Sequence, residues 1–368
     1  MWLYWLLFLL PAFQAVTRLR QVYPPLQSDR WSGLWLLMFV FVASVVGLRH
    51  EVGGDWIPYL HFVEAAESLQ LAETFVKFVH GEPADNYGEP AYKLINWIAA
   101  HSGFGVYLLN SFFSVFFTFG LMVFCRNQPR PWLALVVSVP YLITVVAMGY
   151  SRQGVAIGFA MLGLVALANN NVLKFMLWIV VATLFHKTAV ILIPLAVLAG
   201  TRRWFLTFLG MMLMVTLLFV LLLQEAVDSF MAGYVDQEYE SSGAAIRVAM
   251  NALPATLFLL MRKRFAMPQV QRTFWTWMSW GALVLIAILF VFPSSTAVDR
   301  VALYWIPLQL FVWARVPDAI GRAGGANAFW VYSVVGYSAT VHIVWLFFST
   351  HSYLWLPYQF YPWVWLWR

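Results

Sequence analysis

Twelve apolar runs alternate with polar breaks, at roughly 2–17, 31–47, 104–124, 131–148, 153–168, 174–186, 188–200, 204–224, 244–261, 273–292, 299–314 and 327–349. Each predicts a helix, yet several fall short of the ~20 residues a straight membrane crossing needs. The compound stretches 131–168 and 174–200 read either as one long element or as a hairpin. Two short helices meeting near "FHKTA" suit the second stretch, because short or broken helices are tolerated where they are buried in protein or line a cavity. Taken as hairpins, the runs predict an all-α polytopic membrane protein with about twelve crossings, some short or broken. It forms a single integral membrane domain over 1–368.

Charge favours the hairpins. They gather Arg18, Arg20, Arg30, Arg126, Arg130, Lys174, Arg202, Arg203, Arg262, Lys263, Arg264, Arg272, Arg315 and Arg322 on one side, with only Asp29 and Asp318. The other side holds eight basic residues and fourteen of the sixteen acids. The positive-inside rule puts the first set in the cytoplasm and both termini outside. Asn170 and Arg202 then face the cytoplasm, and His80 and Ala232 the outside.

Composition agrees with a membrane setting: 62% of residues are hydrophobic and 10% charged, against about 25% charged in soluble domains. The net charge of +6 lies mostly on one side, which does not suit a nucleic-acid binder. A single cysteine, Cys125, excludes a disulfide scaffold or a cysteine metal cluster. "MWLYWLLFLLPAFQAV" lacks a positive n-region and a small-residue cleavage site, so it reads as a retained helix.

The longest stretch between crossings, 48–101, falls outside. Within it "PYLHFVEAAESLQLAETFVKFV" predicts one or two amphipathic helices lying along the surface. "GEPADNYGEPAY" reads as loop.

Four arginines flank or enter crossings from this outer side: Arg49, Arg152, Arg247 and Arg300. Local pairing explains three of them simply: Arg49 with Glu51, Arg247 with Glu240, Arg300 with Asp299. Arg152 has no acid within ten residues. Together the four suit a phosphate site, since a guanidinium offers a planar fork to phosphate oxygens and keeps its charge when partly buried. Arg152 and Arg247 also lie near helix N-termini, which favour anions. A lipid-linked diphosphate needs such an arrangement, with its head at the interface and its tail between helices.

Chemistry also calls for a proton acceptor. Asp55 in "EVGGD" is the first choice as general base and Glu51 the second, with solvated carboxylates as the plainer reading of both. His186 suits phosphate binding or proton transfer, or simply a satisfied helix end. Glu89 is one of several similar loop acids. No metal-binding or nucleotide-binding motif is present, and no cofactor is called for. Most of the twenty tryptophans read as interface anchors, and the segment from Tyr353 onward as resting at the outer interface.

At "GLRHEVGGDWIPY", "GYSRQGVAIGFAMLGL", "FHKTAVILIPL", "SGAAIRVAMNALPATLFLLMRKR" and "DRVALYWIPL" the chain resembles the EpsG family of Wzy-like bacterial exopolysaccharide and O-antigen polymerases. The resemblance implies a GT-C-like, metal-independent glycosyltransferase of the bacterial cytoplasmic (inner) membrane, with its active site facing the periplasm or outside. Such an enzyme transfers a glycan from undecaprenyl diphosphate onto a lipid-linked repeat unit, among membrane lipids, with a flippase and a chain-length regulator as partners and no nucleic acid. It places Arg49, Arg152, Arg247 and Arg300 on the diphosphate. Asp55, Arg152, Arg300, His186 and Glu51 become the catalytic set, and Gln153, Tyr304, Lys187 and Glu89 substrate contacts. The third motif departs from the family pattern, with Lys187 where a serine often follows the histidine. Two alternatives share the donor chemistry: an O-antigen-ligase-like transferase and a non-enzymatic lipid-linked glycan transporter.

Overall fold

The apolar runs do become helices, but few have membrane-crossing length. The structure, a computed structural model, describes residues 1–20, 31–74, 88–194, 243–291 and 294–366. Its helices in chain order are α1 (Trp2–Thr17), α2 (Gly33–Gly47), α3 (Trp56–Glu67), α4 (Pro90–His101), α5 (Gly105–Arg126), α6 (Pro131–Ser138), α7 (Ser151–Ala168) and α8 (Val172–Phe185). There follow α9 (Ala244–Met261), α10 (Gln269–Val291), α11 (Ser295–Ala302), α12 (Ile306–Trp313), α13 (Val316–Ile320), α14 (Ala328–Phe348) and α15 (Tyr361–Leu366). Two short strands, β1 (Arg49–His50) and β2 (Gln359–Phe360), pair antiparallel.

Among the described residues five helices are long and apolar enough to cross a membrane: α5, α7, α9, α10 and α14. This corrects the expectation of about twelve crossings. The runs at 2–17, 31–47, 131–148 and 174–186 form apolar helical stretches of 17 residues or fewer. At ~1.5 Å rise per residue, 15 residues reach only about 22 Å, short of a ~30 Å hydrocarbon core. The run 299–314 splits into α11, a 3-10 turn over Leu303–Trp305, and α12. Run 204–224, and the positions His80, Arg202 and Ala232, lie outside the described residues.

Local chemistry sets the breaks. Pro131 opens α6, where a missing N–H costs nothing, and Pro140 opens the π-helical continuation Val139–Ala147. Tyr150 leaves helical geometry and α7 begins anew at Ser151. The Asn171 side chain caps α8 by accepting the Lys174 N–H at 2.9 Å. His186, in extended conformation, ends α8 before a 3-10 turn over Lys187–Ile191.

Helix α7 is the buried centre of the bundle, packed against α5 and α8. Its approach to α5 depends on a glycine pair. A Cβ on Gly120 would lie 2.0 Å from the Gly158 carbonyl oxygen, and one on Gly158 would lie 2.7 Å from the Phe117 Cα.

The segment 48–101 supplies β1, α3 and α4, with α3 and α4 packed together and against α5. The C-terminal segment does not simply rest at an interface. Trp355 is buried, its indole N–H donates to the Thr144 carbonyl at 2.6 Å, and the Tyr4 hydroxyl donates to the Trp355 carbonyl at 2.8 Å.

Arg49 ties these pieces together. Fully buried, it donates from Nε to the Val52 carbonyl (3.0 Å) and from Nη1 to the Val46 carbonyl (2.6 Å). Its Nη2 donates to Asn110 Oδ1 (2.9 Å) and Ser151 Oγ (2.7 Å). One guanidinium thus joins the end of α2, the 49–52 turn, α5 and the first residue of α7. Burial pushes its pKa down to about 10, which still leaves it charged at neutral pH. A second arginine does comparable work elsewhere: Arg130 forms a bidentate pair with Asp318 (2.8 and 2.9 Å) and donates to the Leu19 and Gly325 carbonyls.

Gly158→Ala should destabilise the detergent-purified protein by about 1–3 kcal/mol, the usual cost of overpacking. Gly336→Ala, which meets open space, should leave the melting temperature unchanged or raise it. Arg49→Lys cannot satisfy four acceptors from one ammonium, so stability should fall by about 3 kcal/mol or more. Fluorescence size-exclusion yield and melting temperature check both. A normal melting temperature for Arg49→Lys would remove its structural role.

Candidate active site

Asp55 precedes the first turn of α3 at the N-cap position, where aspartate usually caps its own helix. Here the side chain makes no cap hydrogen bond. It is turned instead to the Tyr59 hydroxyl, which hydrogen-bonds it, and toward the arginines Arg300 and Arg152. Burial pushes the Asp55 carboxyl above the ordinary carboxylate range, while Arg300, Arg152, the Tyr59 hydrogen bond and Arg49 pull it back.

Gly53 brings this loop in. Its φ of +100° and its fit against Met148, whose carbonyl oxygen would lie 2.0 Å from an added Cβ, require glycine. Its N–H donates to the Leu354 carbonyl at 2.8 Å. The backbone of "VGGD" thus comes close to the turn ahead of α7 and to the C-terminal segment.

Tyr59 links two halves of the site. Its oxygen accepts the Arg152 backbone N–H at 3.0 Å while its hydroxyl engages Asp55. That fixes the start of α7 relative to α3.

The two arginines beside Asp55 are held loosely. Arg152 Nη1 lies 3.6 Å from Glu89 Oε2, beyond hydrogen-bonding range, and its guanidinium stands 4.8 Å from the Tyr92 ring centre. The Arg300 guanidinium lies 4.2 Å over the Tyr150 ring. Among the described residues neither guanidinium donates a hydrogen bond to the protein.

Other polar groups around Arg152 are unsatisfied too. Glu89 Oε2, the Tyr92 hydroxyl and Gln153 Oε1 are buried without a hydrogen-bond partner among the described residues. Buried polar atoms are normally paired, so three orphans beside an under-bonded arginine mark a place for a polar ligand.

The remaining predicted residues divide. Glu89 Oε1 accepts the Lys187 backbone N–H (3.1 Å), bringing the His186 turn to the site. His186 Nδ1 lies 2.7 Å from Thr188 Oγ1 and 3.4 Å from the Tyr304 hydroxyl. The Gln153 amide donates to the Arg300 carbonyl, tying α7 to α11. Arg247 forms a bidentate pair with Asp299, at 2.7 and 2.8 Å, so Asp299 partners Arg247 where the sequence suggested Arg300. Glu51 points outward, with 60% of its side chain exposed and His50 at 3.8 Å its one ion-pair partner among the described residues; Arg49 engages other groups. Glu240 lies outside the described residues.

Tyr59, Tyr92 and Tyr150 are the functional neighbours that sequence reasoning missed. With sixteen tyrosines in the chain, none carries a distinguishing signal, although Tyr59 and Tyr150 both fall inside or beside the motif stretches that contain Asp55 and Arg152. Among the described residues no group of three or more His, Cys, Asp and Glu side chains is gathered as for a metal ion.

No curated protein and no solved structure matches the chain, so its GT-C-like likeness stays an expectation from sequence. A family model does match, over residues 33–360, which takes in Asp55, Tyr59, Glu89, Arg152, His186 and Arg300. The chain belongs to the EpsG family.

Proposed function

We propose that this membrane protein is a polysaccharide polymerase, transferring a glycan from undecaprenyl diphosphate to a sugar hydroxyl of a lipid-linked repeat unit at the outer face of the bacterial cytoplasmic membrane. One observation carries the reading: a partly desolvated carboxylate, Asp55, lies within electrostatic reach of two arginines that no acceptor among the described residues engages closely.

In the proposed reaction Arg152 and Arg300 hold the donor diphosphate. Asp55 takes the proton of the acceptor hydroxyl as its oxygen attacks the anomeric carbon. The new glycosidic C–O bond forms while the bond from that carbon to the diphosphate oxygen breaks. The electron pair leaves with the diphosphate, where the arginines stabilise the charge that develops. Tyr59 donates to the Asp55 carboxylate before transfer and keeps it aimed. Glu89 positions Arg152 and, through the Lys187 N–H, the His186 turn. Arg49 supports the site from beneath and touches none of the reacting atoms.

Lysine cannot reproduce a planar fork on two phosphate oxygens. Arg152→Lys and Arg300→Lys should therefore each lower the rate of glycan-ladder formation from purified lipid-linked repeat units by about a hundred- to thousandfold. The comparison is made at matched membrane levels, and a near-wild-type ladder from both variants would refute the diphosphate role.

Asp55 must be ionised to accept a proton, so activity should rise with pH through its raised pKa. The acid limb then sits above the ~3.9 of an unperturbed aspartate. Tyr59→Phe removes a hydrogen bond that favours the carboxylate and should move that limb further up. A limb that stays in place in Tyr59→Phe, with only its height changed, would take Asp55 out of the base role.

A further inference from the structure

A cavity of about 620 Å³ opens between α9 and α14, within the range of small-molecule sites. One end of its lining is polar, with Arg247 in the first turn of α9 and Ser349, Thr350 and His351 just past the end of α14. Below, the walls are Met250, Leu253, Val341, Val344 and Trp345. From Phe348 to Tyr337 the lining runs roughly 16 Å along α14 at ~1.5 Å per residue, about half of a ~30 Å hydrocarbon core. Both helices are of membrane-crossing length.

The cavity borders the candidate active site through Arg247, which pairs at 2.7 and 2.8 Å with Asp299, the residue before Arg300 in α11. Tyr141 lines the cavity and lies within electrostatic reach of Arg247, Asp299, Tyr150 and Arg300. Tyr150, beneath the Arg300 guanidinium, reaches Asp55 in the same way. An occupant therefore meets Arg247 at one end and a mainly apolar wall, interrupted by Thr340 and the Tyr141 and Tyr337 side chains, along the rest. Arg247 is already engaged by Asp299, so the charge of a bound anion falls to Arg300 and Arg152.

We propose that this crevice holds the first isoprenoid units of a polyprenyl diphosphate, with the diphosphate at Arg300 and Arg152 and the tail running between α9 and α14. The identity of the head group rests on the polymerase reading. The crevice itself is set by its apolar walls and by the Arg247–Asp299 pair that leads from it to Arg300. A single chain leaving the site sideways between two helices also lets a long lipid enter from the bilayer without its tail crossing water.

Val344→Trp narrows the crevice without touching any residue of the reaction site. In lipid nanodiscs, binding of undecaprenyl diphosphate is compared with binding of inorganic diphosphate. Burying several methylenes should give the wild-type protein at least a tenfold preference, to order of magnitude, for the polyprenyl compound. Val344→Trp should shrink that preference to under about twofold while inorganic diphosphate binds as before. An unchanged preference would place the tail elsewhere.

Undecaprenyl diphosphate bearing a diazirine on its tail provides a test on the wild-type protein. Labels within 243–253 and 337–351 support the assignment; labels confined to other segments overturn it. Equal protection by phosphatidylglycerol would also overturn it, showing a crevice for bilayer lipid in general. Glycan-ladder sizing is read separately: a wild-type protein that binds the tail here but makes no ladder refutes the polymerase reading alone.

Discussion

A single buried cation holds the site end of the bundle together. Arg49 is out of contact with water, and its charge is tolerable only because two backbone carbonyls, Asn110 and Ser151 accept from it at once. Those acceptors come from four parts of the chain, so the arginine fixes where α2 ends, how the Asp55 loop leaves it and where α7 begins. β1 adds the C-terminal strand to the same point through its ladder with β2. Remove the geometry at Arg49, and Asp55 and Arg152 lose the frame that holds them within electrostatic reach of each other.

The arginines of this protein differ by their acceptors, not by their type. Arg49 and Arg130 are saturated by carbonyls, amides and a carboxylate, and Arg247 is matched by Asp299. Arg152 and Arg300 have aromatic faces and, for Arg152, a distant carboxylate. Cation–π contact retains the charge while leaving the N–H fork available. A site that must bind and release an anion needs that second kind of arginine, and the orphaned oxygens of Glu89 and Tyr92 belong to the residues that flank Arg152.

Much of the site was legible because unusual residues stood in unusual places. Arg152, an arginine in an apolar run without a nearby acid, and Asp55, just after two glycines, stood out from their sequence neighbours, and the fold brings them within electrostatic reach of each other. Arg49 and Arg247 have nearby acids in the sequence, Glu51 and Glu240, yet the partners found for them, Asn110, Ser151 and Asp299, lie far along the chain or one residue from the wrong arginine. Glu89 looked like any loop acid until the Lys187 turn arrived against it. The tyrosines were invisible for the same reason: a hydroxyl acquires a role only from what faces it.

Hydropathy alone pointed to helices in a membrane, since continuous apolar runs of this length suit helices, which satisfy their own backbone, where a barrel would need alternating apolar and polar positions. The break at His186 was readable as well, because charged and polar residues interrupt the run there. How many runs cross was decided by tertiary structure. An apolar segment buries its surface equally well against lipid or against another helix, so α1, α2 and the π-helical stretch after α6 carry the composition of spans without their length. The glycine contact of α5 with α7, the return of Trp355 and the pairing of Arg247 with Asp299 rest on contacts between residues tens to hundreds of positions apart. Sequence reports what each residue prefers, and only the folded chain determines which preferences can be met together.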